Sequence, residues 1–141
     1  MNDAEKALHI LSSQEYTCVV CRGETIYTAT LRGVAPLVQW IKSETDLHDF
    51  SAADKVVGRA TAFLYAILGV KEVYAHVMSE GALDVLKQAG ISASYGKLVE
   101  HIINRKGDGI CPFEEAVLKI QDRSQAYEAI LLKMEKMGIT V

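Results

Sequence analysis

The runs "YTCVVCR", residues 16–22, and "TIYTATL", residues 25–31, are separated only by Gly23 and Glu24. Both are rich in β-branched and aromatic residues. Two residues are too few for a crossover connection, so the pair must fold as an antiparallel hairpin. Such a hairpin needs an apolar layer to lie against, and the flanking sequence supplies it in helical periods. Asn2 or Asp3 caps a first helix to about Ser13, with Ala4, Ala7, Leu8 and Leu11 on one face. Pro36 suits the first turn of a second helix over roughly 35–44, striped by Val34, Leu37, Val38 and Ile41.

Further along, Ser51 and Asp54 read as the N-cap and third residue of a central helix. Its wide apolar face is Val56, Val57, Ala60, Phe63, Leu64, Ile67 and Leu68, with Gly58 inside it. "KEVYAHV" is a short strand, after which Ser79 opens a helix ending at "KQAGI". "ISASYG" and "LVEHIIN" supply up to two more strands, and "CPFEEAVLKIQ" and "SQAYEAILLKMEKMG" read as two closing helices. The succession predicts one domain over residues 1–141, a mixed sheet with helices on both faces.

Half the residues are apolar and the formal charge is −3, without a clustered Lys/Arg face. Nucleic acid is therefore not an expected partner. No apolar run approaches the roughly 18 residues of a membrane span, and "MNDAEKALHIL" lacks the basic and apolar regions of a signal peptide. A cytoplasmic protein with reduced thiols is expected, because its three cysteines are odd in number. The apolar strip of "AYEAILLKMEKM" suits either a core-packing helix or a homodimer contact.

Three places carry candidate chemistry. "CVVC", Cys18 to Cys21, matches a redox or zinc spacing, but on a strand residues three apart point to opposite faces, which predicts plain core cysteines. His9, His48, His76 and His101 are scattered without ligand spacing. Cys111 stands at a helix start, where unpaired amides favour a thiolate, with Arg105 and Lys106 upstream and Glu114 and Glu115 a turn on. It reads either as a reactive thiol behind an anion-friendly loop, Asn104 to Gly109, or as a small residue before Pro112. Asp54, Lys55 and Arg59 around Gly58 read either as an anion site at a helix N-terminus or as a capped, solvated turn. Glu114 and Glu115 are adjacent and so diverge by about 100° on a helix, which is poor geometry for an acid/base dyad.

The order of elements, with "DKVVGRATAFLYAILGVKEVYA" and "NRKGDGICPFEEAVL", resembles the domain of unknown function 1893 family, a prokaryotic family grouped by fold with the cytidine deaminases. The resemblance implies a three-layer α/β/α fold in which a hairpin leads into a mixed sheet of about five strands, with extra C-terminal helices. In working deaminases an HxE or CxE motif opens the central helix and PCxxC the next, giving zinc its ligands. This chain has "VGRA" and "HVMSEGA" there, so neither a bound metal nor conventional hydrolytic deamination is expected, and no other cofactor. The family-like residues that remain are Asp54, Lys55, Gly58, Arg59, Asn104, Arg105, Gly107, Cys111, Pro112 and Glu114. Two functions follow as expectations. One is a zinc-independent protein binding a small anionic, nucleotide-like ligand, with Cys111 as nucleophile, Arg59 or Arg105 stabilising charge and Glu114 beside them. The other is a non-catalytic ligand-sensing or interaction domain in which the thiol is dispensable.

Overall fold

The Asn2 side chain accepts the amide of Glu5 at 2.8 Å while the Glu5 carboxylate accepts the amide of Asn2. This reciprocal cap starts α1, Asp3–Ser13, in the computed structural model, which describes residues 1–141. The hairpin follows as β1, Cys18–Arg22, and β2, Thr25–Ala29, registered from Cys18↔Ala29 to Arg22↔Thr25. Pro36 lies in the first turn of α2, Ala35–Lys42.

The helix expected after an N-cap at Ser51 follows an N-cap at Gly58, seven residues later. Ser51–Val57 is a strand, β3, and α3 runs Arg59–Leu68 with Gly58 as its extended N-cap. The misreading has a physical cause. Ala52 packs in the larger core and Ala53 in the core under α1, so this strand is buried on both faces and shows no alternation of polar and apolar residues. Its small and β-branched residues then run into the true helical stripe without a break. Next come β4, Glu72–Ser79, α4, Glu80–Gln88, and β5, Ser92–Val99. "LVEHIIN" is not a separate strand: Leu98 and Val99 finish β5, and Ile103 makes only an isolated bridge to Ile110. Two helices close the chain, α5, Pro112–Ala116, and α6, Arg123–Lys136.

The sheet order is β2-β1-β3-β4-β5, with β1 antiparallel to both neighbours and β3, β4 and β5 parallel. This is the hairpin-led mixed five-stranded sheet that the resemblance implied. On one face α1 packs Ala7 and Leu11 against Val19, Cys21 and Ala53. The opposite face carries the larger core, where Cys18 and Val20 meet Leu37, Leu64, Tyr65 and Leu86. Cys18 and Cys21 thus belong to different cores, as strand geometry requires. No helix is long and apolar enough to cross a membrane.

The apolar strip of α6 faces its own chain: Ala126, Ile130 and Met134 are buried in the larger core. Ile130→Ala is expected to lower unfolding stability by about 2–5 kcal/mol in urea titration. Its midpoint should be independent of protein concentration, whereas a helix docked on a second copy would give a concentration-dependent one.

Candidate functional site

The N-termini of α3 and α4 lie side by side, and the chain between residues 100 and 121 crosses them. A helix start leaves backbone amides without partners, and Arg59 is the first residue of α3. Its amide donates to Glu114 Oε1 at 2.7 Å, so a carboxylate from α5 satisfies the helix and meets the positive end of its dipole. The Ser79 hydroxyl donates to the same oxygen at 3.0 Å, while its own oxygen accepts the amide of Ala82 and so caps α4. Glu114 Oε2 accepts the amide of Ile102 at 2.6 Å, with the His101 ring 4.0 Å away. Glu114 is 4% exposed, and both its oxygens are engaged within the fold.

Arg59 returns the contact. Its guanidinium, also buried, donates to the carbonyls of Val117, Ile120 and Gly81, and lies 5.2 Å from the Phe63 ring centre. The carbonyls of Val117 and Ile120 end the short helix α5 and its following turn, where a cation is favoured. Gly58 permits the close approach. A Cβ there would sit 3.1 Å from Glu114 Oε1 and 3.1 Å from Ile102 Cγ1, tighter than ordinary packing.

The expected site residues therefore separate into three sets. Gly58, Arg59 and Glu114 meet at this junction, and Cys111 is the N-cap of α5 one turn before Glu114, half-buried and without a side-chain capping bond. Asn104, Arg105 and Gly107 lie on a hairpin-like loop outside it. There the Asn104 amide group donates to the Asp108 carboxylate and accepts the Asp108 backbone amide, Asn104 N donates to the Gly109 carbonyl, and Gly107 has φ 75°. The loop satisfies its own polar groups, and Arg105 stays exposed. Asp54 and Lys55 are on β3 and not at a helix start, a correction to the expected anion site. Their side chains point to opposite faces of the strand.

Asp54 faces Cys18, its registered partner on β1, and Tyr65 of α3. Tyr65 donates to Asp54 Oδ2 at 2.7 Å and is 3.0 Å from the Cys18 sulfur, and Asp54 Oδ1 accepts the Val56 amide at 3.3 Å. Burial pushes the Asp54 carboxyl up to about 7, partly opposed by the hydrogen bond from Tyr65. Burial likewise raises the Cys18 thiol and the Tyr65 hydroxyl, with the neighbouring Asp54 carboxylate adding to both shifts. Sequence reading missed Ser79 as a partner of Glu114, as well as His101, Tyr65 and the receiving carbonyls of Val117 and Ile120. Ser79 was legible only as a helix cap, and backbone acceptors leave no residue-type signal at all.

The residues standing where the resemblance implies zinc ligands do not fit that ion. The start of α3 offers a glycine and a guanidinium, the start of α4 a serine hydroxyl already bonded, and no three His, Cys, Asp or Glu side chains converge.

Residues 6–134 match the family described as Domain of unknown function (DUF1893). The chain is similar to the crystal structure of a DUF1893 family protein (TM1506) from Thermotoga maritima, at 27% identity and a TM-score of 0.85, covering 92% of this chain and 88% of that one. A second solved structure, the dCMP deaminase from the cyanophage S-TIM5 in apo form, aligns at 17% identity and a TM-score of 0.45, covering 65% of this chain and 93% of that one. A comparison with curated proteins finds no match.

Two outcomes follow from this geometry. Glu114→Gln places an amide NH₂ among three donors and should cost about 1–3 kcal/mol in denaturant unfolding, as should Gly58→Ala by crowding the same carboxylate. Because the native Asp54 carboxyl titrates near 7 and the unfolded one near 3.8, the native state binds the extra proton between those values. Stability from this group is full below the unfolded value and is lost as pH rises through about 7. The thermal midpoint should therefore fall across that interval, and Asp54→Asn should flatten the dependence.

Proposed function

The chain belongs to the DUF1893 family, and on that footing we propose that it is a non-catalytic binding domain for a small anionic ligand, built on a deaminase-like scaffold. The observation that supports this reading is the internal use of Arg59 and Glu114. The strongest cation and carboxylate of the expected site are both buried and fully hydrogen-bonded to the chain itself. A group that has to stabilise charge in a reacting substrate must reach it, and this guanidinium is buried with each of its three nitrogens turned to a carbonyl of the chain. Lys55 and Arg105 are the exposed cations among the candidate residues, and Asn104 and Gly107 shape the loop that carries Arg105. Reduced, cytoplasmic surroundings are part of the reading, supported by three unpaired cysteines.

One observation favours a second reading, thiol chemistry. Cys111 is the only cysteine that is not buried, and it precedes the His101-facing carboxylate of Glu114 by one turn. Sulfur-based catalysis would use Cys111 as nucleophile.

The two readings part on the sulfur. Purified protein should convert no member of a panel of nucleosides and nucleotides followed by chromatography, and Cys111→Ser should leave both its ligand-induced thermal shifts and its stability unchanged. Alkylation of Cys111, followed peptide by peptide, should likewise leave the ligand-induced thermal shifts unchanged. Turnover that disappears in Cys111→Ser would establish the second reading and overturn the first.

A further inference from the structure

The face of the sheet that carries α1 is only partly covered. α1 packs over β1 and β3 and reaches Tyr74 on β4, whereas Ser92, Ser94 and Gly96 of β5 remain exposed. Three side chains on this face stand in one neighbourhood. Lys55 and His76 sit side by side, between the registered pairs Asp54↔Ala75 and Val56↔Val77. Gly96 lies beside His76, between Ala75↔Tyr95 and Val77↔Lys97. Tyr74 is two residues before His76 on the same strand and therefore on the same face.

The arrangement of the rings is specific. The Tyr74 hydroxyl is 3.2 Å from His76 Nδ1, two residues along its own strand, and 3.3 Å from where a Cβ of Gly96 would stand. A tyrosine whose hydroxyl reaches that far along the strand lies down on the sheet instead of standing off it. Glycine at 96 is required for this: a Cβ there would also come within 2.9 Å of the His76 carbonyl oxygen. The two ring centres are 5.5 Å apart at 81°, so the imidazole stands upright at the end of a recumbent phenol. His76 Nε2 makes no hydrogen bond within the protein, and neither His76 nor Lys55 enters an ion pair.

We propose that Tyr74, His76 and Lys55 form the ligand surface of this domain, and that its ligand class is a planar ring carrying a phosphate, as in a nucleoside monophosphate. An aromatic face lying on a sheet is a stacking platform for a flat heterocycle. The upright imidazole and the Lys55 ammonium supply donors for an anion at one end of that platform. With strands about 4.8 Å apart, Lys55 is roughly 10 Å from β5, a span suited to a ring and a phosphate joined by a sugar. The free edge of β5 adds unpaired backbone donors and acceptors within reach of a heterocycle's rim. This inference rests on the binding-domain reading and gives it a location.

The test is an amide NMR titration of the full chain with AMP, and separately with adenosine and with inorganic phosphate. AMP is expected to give saturable shifts at residues 55, 74–76 and 94–97, with adenosine and phosphate each weaker. Lys55→Glu, at an exposed position, should weaken AMP by about tenfold or more without altering the spectrum elsewhere. Absence of saturable shifts at millimolar AMP, or the same shifts and affinity from phosphate alone, overturns the proposal. AMP shifts confined to residues 104–111 would refute this surface while leaving a binding domain. AMP hydrolysis lost in Cys111→Ser would instead overturn the binding-domain reading, whatever the map of shifts.

Discussion

The carboxylate of Glu114 on the first amide of α3 is the contact around which the second half of the molecule is arranged. Segment 100–121 contains one five-residue helix and a self-satisfied loop, neither of which is stable alone in water. It is ordered because one of its side chains completes a helix of the body, and a side chain of that helix completes its carbonyls in return. The exchange buries a carboxylate and a guanidinium that do not pair with each other; backbone groups meet both, joined by the Ser79 hydroxyl at Glu114 and by the half-exposed Asp84 carboxylate 3.9 Å from Arg59. Such burial is tolerable only when every donor and acceptor is met, and no buried side-chain nitrogen or oxygen here lacks a partner.

A second polar line ties α3 to the sheet. Cys18 on β1, Tyr65 on α3 and Asp54 on β3 form a buried relay beneath the same helix whose N-terminus Glu114 holds. The two features differ in their electrostatics. Glu114 accepts three hydrogen bonds, two from backbone amides. Asp54 is held by Tyr65 and by the Val56 amide, and desolvation by burial outweighs those hydrogen bonds. One helix is thus held at its start by a carboxylate on its first amide and along its length by a buried hydrogen-bonded relay.

Elements with a short-range code were legible in the sequence. The two-residue connection fixed the hairpin, Asn2 or Asp3 and Ser79 announced their helices, and of Tyr127, Ile130, Leu131 and Met134, read as the inward side of the last helix, Ile130 and Met134 are buried and the other two half-buried. Strand β3 was not legible, because burial on both faces removes the alternation by which a strand is recognised, and "SAADKVV" then borrows the helical period of α3 directly after it. That error moved Asp54 and Lys55 onto a helix they do not belong to. Of the candidate site, Gly58, Arg59 and Glu114 could be singled out as residue types, but not their destination in one another's backbone, since main-chain partners 55 to 61 residues away carry no sequence signature. The Tyr74 platform was invisible for a related reason: it depends on Gly96 standing beside His76 across a parallel pair.

The functional reading rests on the closure of the junction. Where the N-termini of α3 and α4 meet, the space is taken by the protein's own side chains, Glu114, Ser79 and Arg59. The most direct measurement is amide hydrogen exchange at Arg59 and Ile102, the two backbone groups held by Glu114. The first amide of a helix ordinarily exchanges rapidly, having no helical acceptor. If the clasp closes the junction as described, both amides exchange only on global unfolding, as slowly as that of Leu64 in the core of α3. Fast exchange at either, with Leu64 still protected, would mean that segment 100–121 opens independently and that the centre beneath it is available for chemistry.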